Sequence, residues 1–230
     1  MTRRRVARFA LAGVAAMTAA TAVACGGDAP ARRDTTNAAT RQPGASRSST
    51  LAARAAQRCD APEVSLVIDS AGIGPVLLHA RVADLASRCT VRDSTFELEG
   101  MPERAHSIAI GEHAVLVLST GTPDTSVIRV STTDPAFRTP GGVGVGSSVE
   151  SLRLAHGAIC AARGEGNFVV TAARLPGVSF AIDWNPPASR EPAAAETPFP
   201  GGDPGTSLDA TRITRAWVHG VTGGCRVGVG

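Results

Sequence analysis

Five cysteines divide this chain of 230 residues, and their positions limit its folding more than any other feature. Cys59, Cys89, Cys160 and Cys225 lie well apart, and none forms a C-x-x-C pair. That spacing disfavours a zinc site or a thioredoxin-like redox motif. In an exported domain, four cysteines predict two disulfides. Three pairings are possible. The favoured one is Cys59–Cys89 with Cys160–Cys225, because each bridge then stays within one half of the folded part.

Export is read from the N-terminus. Met1 to Arg8 holds Arg3, Arg4, Arg5 and Arg8 and no acid, and Phe9 to Ala24 is an apolar, Ala-rich run. The run is short for a membrane span but suits the core of a signal peptide. It ends Ala22-Val23-Ala24-Cys25-Gly26, which resembles the lipobox of bacterial lipoproteins, with Ala22 where Leu is commonest. The resemblance implies cleavage before Cys25 and acylation of that residue. Residues 1–24 are therefore expected to be a signal peptide, by the Sec or the twin-arginine route. The lipid on Cys25 would anchor the protein in the cell envelope. Gly26 rather than Asp favours the outer membrane where two membranes exist.

Removing the signal changes the charge. The full chain is formally +3, but 19 Arg then face 20 Asp or Glu. Residues 26–58 carry six Arg against Asp28 and Asp34, whereas 59–230 carry 13 Arg against 18 acids. An acidic domain on a basic leash argues against nucleic-acid binding by the folded part, which would need a concentrated basic face. The leash itself suits anionic headgroups, at about 1 kcal/mol per Arg. Residues 25–58 have almost no large apolar side chain and predict a disordered tether, with Leu51–Ala56 adding one helical turn at its end. The folded domain is expected over 59–230.

Within it a diverged repeat is expected, with units at about 64–131 and 132–230. Ala71-Gly72-Ile73-Gly74-Pro75 precedes the helical pattern 81–89, and the glycine-rich stretch 141–146 precedes the helical pattern 147–157. Aligning Leu85 with Leu152 matches Val82 with Val149. The β-type runs 113–118 and 177–182 follow at similar distances. Ser147 or Ser148 caps the second helix, and Ser147-x-x-Glu150 reads as a capping box. Strands are predicted at 64–69, 94–99, 106–110, 114–119, 126–131, 167–174, 177–184 and 212–219, with a long Pro- and Gly-rich loop at 185–209. The fold class expected is α+β, two similar halves, each a helix packed on a small antiparallel sheet.

Gly146, Ser148, Leu152 and Gly157 resemble the helix motif of the SmpA/OmlA (BamE) outer-membrane assembly lipoproteins. Ser147, Ser151, Ala155 and His156 depart from it. In the first unit His79 and Thr90 replace the leading and trailing glycines. A tandem pair of such units resembles the β-lactamase-inhibitor-protein fold. The resemblance implies a protein-binding scaffold and supplies no catalytic residue.

Candidate chemistry is sparse. Gly141 to Ser148 has the spacing of a phosphate-binding loop, but Ser147 stands where Lys is needed. Ser179, an acid among Asp183, Asp203 and Asp209, and then His219 follow a hydrolase chain order. The elbow around such a serine needs a helix next, and Phe180-Ala181-Ile182 reads as strand. His79, His106, His113, His156 and His219 show no metal-ligand spacing. Glu97, Glu99, Glu103 and Glu112 read as a solvated strand face. Core packing is the first reading of Trp184 and Trp217; as aromatic side chains that can anchor an interface, Trp184, Phe199 and Trp217 are the candidate binding residues. The expected function is a non-enzymatic, lipid-anchored module that binds another envelope protein, with no cofactor or metal. An envelope hydrolase using Ser179 and His219, or a small-molecule binder, is the alternative.

Overall fold

The structure is a computed structural model that describes residues 43–98, 100–121, 125–164, 166–184, 197–198, 207–220 and 225. Cys25, the signal segment, Glu99, Phe199 and Asp203 lie outside them. All described residues belong to one unit, 42–230.

Helix α1 (Pro43–Ala56) comes first. Three two-residue strands follow, β1 (Ile68–Asp69), β2 (Gly72–Ile73) and β3 (Val76–Leu77), and then α2 (Val82–Ala86). The meander β4 (Val91–Leu98), β5 (Met101–Ile110), β6 (His113–Ser119) and β7 (Val127–Thr132) comes next. After α3 (Val149–His156) run β8 (Ile159–Gly164), β9 (Asn167–Ala172) and β10 (Val178–Ile182). Strand β11 (Thr197–Pro198), helix α4 (Ser207–Ala210) and β12 (Ile213–His219) complete the order.

This corrects the expected fold class. The molecule is mostly β, not two halves that each carry a helix on a small sheet. Among the described residues, one antiparallel sheet of nine strands runs β11-β8-β9-β10-β12-β7-β6-β5-β4, beside a separate three-stranded sheet β1-β2-β3. The large sheet crosses the division expected near residue 131, because β7 pairs directly with β12 through Ser131↔Trp217 and Val130↔Val218. The physical reason is edge pairing. Two separate sheets would leave β7 and β12 with open rows of backbone donors and acceptors, and joining them satisfies both.

Side-chain alternation sets the sheet's two faces. Ile108, Val115, Val117, Val130, Val170, Phe180 and Val218 point into the core, where Leu85 of α2 and Leu152 of α3 are also fully buried. Strand β10 is buried at all five positions, so both of its faces are covered.

Local details differ from the sequence reading in three places. Of the two cap candidates for α3 it is Ser148 that caps, its side chain accepting the Ser151 amide, so Ser147 does not open a capping box. Ser147 Oγ instead accepts from Gly144 N and from Arg138 Nη1. The predicted strand 64–69 shrinks to Ile68–Asp69, since residues 64–67 are drawn into loop contacts such as Gly74 N to Val67 O. Residues 43–56 of the expected tether are helix. Arg54 explains its order: this side chain is buried and donates to Gly74 O from both Nε and Nη2, at 3.0 and 2.7 Å, and to Asp69 from Nη1. Gly74 tolerates its place because it has φ of +57° and a Cβ there would meet Ser65 O at 2.6 Å.

The disulfides are Cys59–Cys89 and Cys160–Cys225, with Cα separations of 4.9 and 5.1 Å. This is the favoured pairing of the three.

Candidate binding face of the sheet

Register builds the candidate site on the face turned away from the core. A single rung of paired residues crosses all nine strands: Pro198, Cys160, Thr171, Ser179, Trp217, Ser131, Leu116, Ser107 and Arg92. The rung has two regions. From Cys160 to Ser131 every member is at least nine-tenths buried, although none belongs to the core cluster. This half of the outer face is therefore covered. Cys225, bonded to Cys160, lies over its end. From Leu116 to Arg92 the rung opens to solvent.

The open region is a groove of about 260 Å³ lined by Phe96, Ser107, Ala114, Leu116, Ser131 and Arg215, with Val115, Thr132 and Thr133 at its floor and end. The Arg215 guanidinium stands 5.4 Å from the centroid of the Phe96 ring. Strands β12 and β4 are four steps apart in the sheet, which in a flat sheet is on the order of 19 Å. Side chains standing on a flat sheet could not meet across that span, so the sheet curls toward its outer face, which is concave there.

The sequence-derived candidates fall as follows. Trp184 is in the core cluster, with its ring edge-to-face on Phe168 at 5.0 Å between centroids. Trp217 faces outward but is 5% exposed, so it supports the rung and offers little surface. Phe199 lies outside the described residues. The groove residues Phe96 and Arg215 were not singled out, because their meeting depends on register and on the curl of the sheet across four strands. Their one sequence signal is that each sits at an alternating strand position.

Ser179 Oγ is 2.8 Å from His219 Nε2. The pair bridges β10 and β12 on the outer face. It lacks the setting of a nucleophile. Ser179 is 4% exposed and sits mid-strand, and its neighbours' amides serve the ladders to β9 and β12 on either side. No strand-to-helix turn frees backbone donors for an oxyanion. Thr171 Oγ1, next on the rung, is buried and makes no hydrogen bond among the described residues.

The remaining candidates are structural. His113 Nδ1 meets Asp134 at 2.8 Å, where Ala136 N also donates to the carboxylate. His106 Nδ1 lies 3.4 Å from Asp93. Glu97 and Glu103 are exposed on β4 and β5. No group of three or more His, Cys, Asp or Glu suited to a metal occurs among the described residues. The amides of the glycine-rich turn donate within the protein, Gly142 N to Thr139 O, Gly146 N to Ile213 O and Val149 N to Thr211 O. They are not aimed at a phosphate. His156 is buried behind this turn, with Nε2 2.7 Å from Thr139 Oγ1. Burial, and then the nearby Arg174, lower its pKa from the usual imidazole value.

Among solved structures, the chain is similar to the uncharacterized protein yfeY from Escherichia coli. The likeness has 13% identity and a TM-score of 0.42, over 68% of this chain and 98% of that one. No protein-family model and no curated protein matches, so no enzyme family is indicated, nor the assembly lipoproteins that residues 146–157 resemble. Among the described residues no helix is long and apolar enough to cross a membrane.

Proposed function

We propose that this chain is a lipid-anchored cell-envelope protein whose domain binds another protein and catalyses no reaction. The observation that carries the binding reading is the half-covered outer face: a concave, partly apolar groove holding Arg215, whose charge meets no acid among the described residues. The anchor reading rests on the Ala22-Val23-Ala24-Cys25 sequence and agrees with a domain held by two disulfides, as expected outside the cytosol. The groove falls just below the range of about 300–1,000 Å³ that encloses a drug-sized ligand, which favours a protein partner over a small molecule.

The test is recovery of partners from cross-linked, solubilised envelopes with the anchored chain as bait. A reproducible partner, lost when Phe96 and Leu116 are changed to Asp, is expected. Absence of any reproducible partner sinks the reading. Metabolic labelling with palmitate, absent in Cys25→Ser, tests the anchor.

A hydrolase is the second reading, favoured by the Ser179–His219 hydrogen bond alone. Covalent labelling by a fluorophosphonate that disappears in Ser179→Ala would establish it in place of the binding module.

A further inference from the structure

Arg215 is the one charged residue lining the groove, among the described residues. It is half-buried, and its contact is with the Phe96 ring, with no hydrogen bond and no ion pair among the described residues. A cation over an aromatic face keeps all five guanidinium N–H donors for another acceptor. Several other arginines find acids or carbonyls: Arg153 pairs with Asp209 at 2.9 Å, Arg58 with Asp60 at 2.9 Å, and Arg54 with Gly74 O and Asp69. Arg215 is stacked on a ring, as Arg163 is on Phe168 at 5.0 Å, but Arg215 alone of the two lines the groove.

The charge around it is one-sided. On β4, β5, β6, β7 and β12 the outward positions given by the register carry Arg92, Arg129 and Arg215 against Glu103. This happens in a domain whose acids outnumber its arginines. The walls beside Arg215 are apolar at Phe96, Ala114 and Leu116, with hydroxyls at Ser107, Ser131 and Thr133. At about 30 Å³ per water molecule, 260 Å³ holds roughly nine waters, against the five heavy atoms of a glutamate side chain, so one acidic side chain fits with room beside it.

We infer that the groove receives an acidic side chain, glutamate or aspartate, from an extended segment of the partner protein. Its carboxylate pairs with the Arg215 fork, and its methylene groups lie against Phe96 and Leu116. A fork matched to a carboxylate gives two parallel, charge-assisted hydrogen bonds, which no neutral side chain reproduces. This assignment rests on the protein-binding reading and adds the chemistry of the contact.

The test uses the purified full chain, isotope-labelled, in detergent micelles. It is titrated with the capped peptide acetyl-Ala-Leu-Glu-Leu-Ala-amide and with its Gln counterpart. The Glu peptide is expected to shift the Arg215 Nε signal and the amides of Phe96, Ser107, Leu116 and Ser131 saturably. The Gln peptide should bind at least about tenfold more weakly, as follows from losing a charge-assisted pair. Arg215→Met should abolish the Glu preference, and Arg215→Lys should keep part of it. Unchanged signals outside the groove show that each variant is folded, and the Lys variant serves if the Met variant is not. Equal binding of the two peptides, or no shift in the groove, overturns the proposal. An envelope partner captured equally by wild type and Arg215→Met overturns it too, while leaving the binding module standing. No partner for either chain sinks the binding module itself.

Discussion

Arg54 holds the carbonyl of Gly74 with two N–H groups, at 3.0 and 2.7 Å, and so ties helix α1 to the turn between β2 and β3. Its aliphatic stem carries little of this; the guanidinium is buried and its charge is met by Asp69. Arg54→Met leaves the buried Gly74 carbonyl without its donor and Asp69 with the Ala71 amide alone. A loss of about 1–3 kcal/mol is expected, read by urea unfolding. Hydrogen exchange across 48–56 should quicken to that of an unprotected chain, while β5 and β6 stay protected.

His156 makes stability depend on pH. The Thr139 hydroxyl accepts the Val143 amide and can give its proton to Nε2, which requires a neutral ring. The folded pKa is lowered, by burial first and Arg174 second, so below about 6.5 the unfolded chain binds the extra proton. Stability is full above that value and falls as pH drops toward the folded pKa, by at most about 1.4 kcal/mol per pH unit. Asp134 acts the same way at lower pH. Burial alone would raise its carboxyl, but Ala136 N and His113 outweigh this and hold it below its usual value. Its contribution is present above the usual carboxylate pKa and is lost as pH falls through the lowered one. Melting temperature against pH should fall between 7 and 5 in wild type and flatten there in His156→Gln.

Much of this was legible locally. Strands at 106–110, 114–119, 126–131 and 212–219 were expected close to where β5, β6, β7 and β12 lie. Alternation marks them, and alternation is written in neighbouring residues. The helix at 149–156 was marked by Ser148, Leu152 and Gly157. The sheet order was not legible. Pairing of Ser131 with Trp217 joins positions 86 apart, and no local pattern encodes it. The same gap hid the groove. Phe96 read as one apolar position in an alternating strand, and Arg215 as one charge among many.

The two hydroxyls of the central rung should respond oppositely to removal. Ser179→Ala breaks the hydrogen bond to the half-buried His219 ring, for a loss of about 1 kcal/mol. Thr171→Val removes a hydroxyl that has no partner among the described residues and keeps the shape of the side chain. It should be neutral or stabilising, by up to about 1 kcal/mol. Thermal unfolding of the two variants side by side checks the sign.

Each disulfide closes a loop, of 30 residues for Cys59–Cys89 and 65 for Cys160–Cys225. Loop-closure entropy grows slowly with length, so replacing either pair by Ser should cost about 2–5 kcal/mol, with the larger loss from the longer loop. Urea midpoints of the two double variants test the order. The Cys160→Ser/Cys225→Ser variant should also expose Trp217, seen as a red shift of its emission.

The last described strand is not at an edge. Strand β12 fills the middle of the sheet, between β10 and β7. Until residues 213–219 are made, β10 and β7 each lack the partner that joins them. Synthesis runs from the N-terminus, so this sheet cannot be joined until all eight of its other described strands have been made.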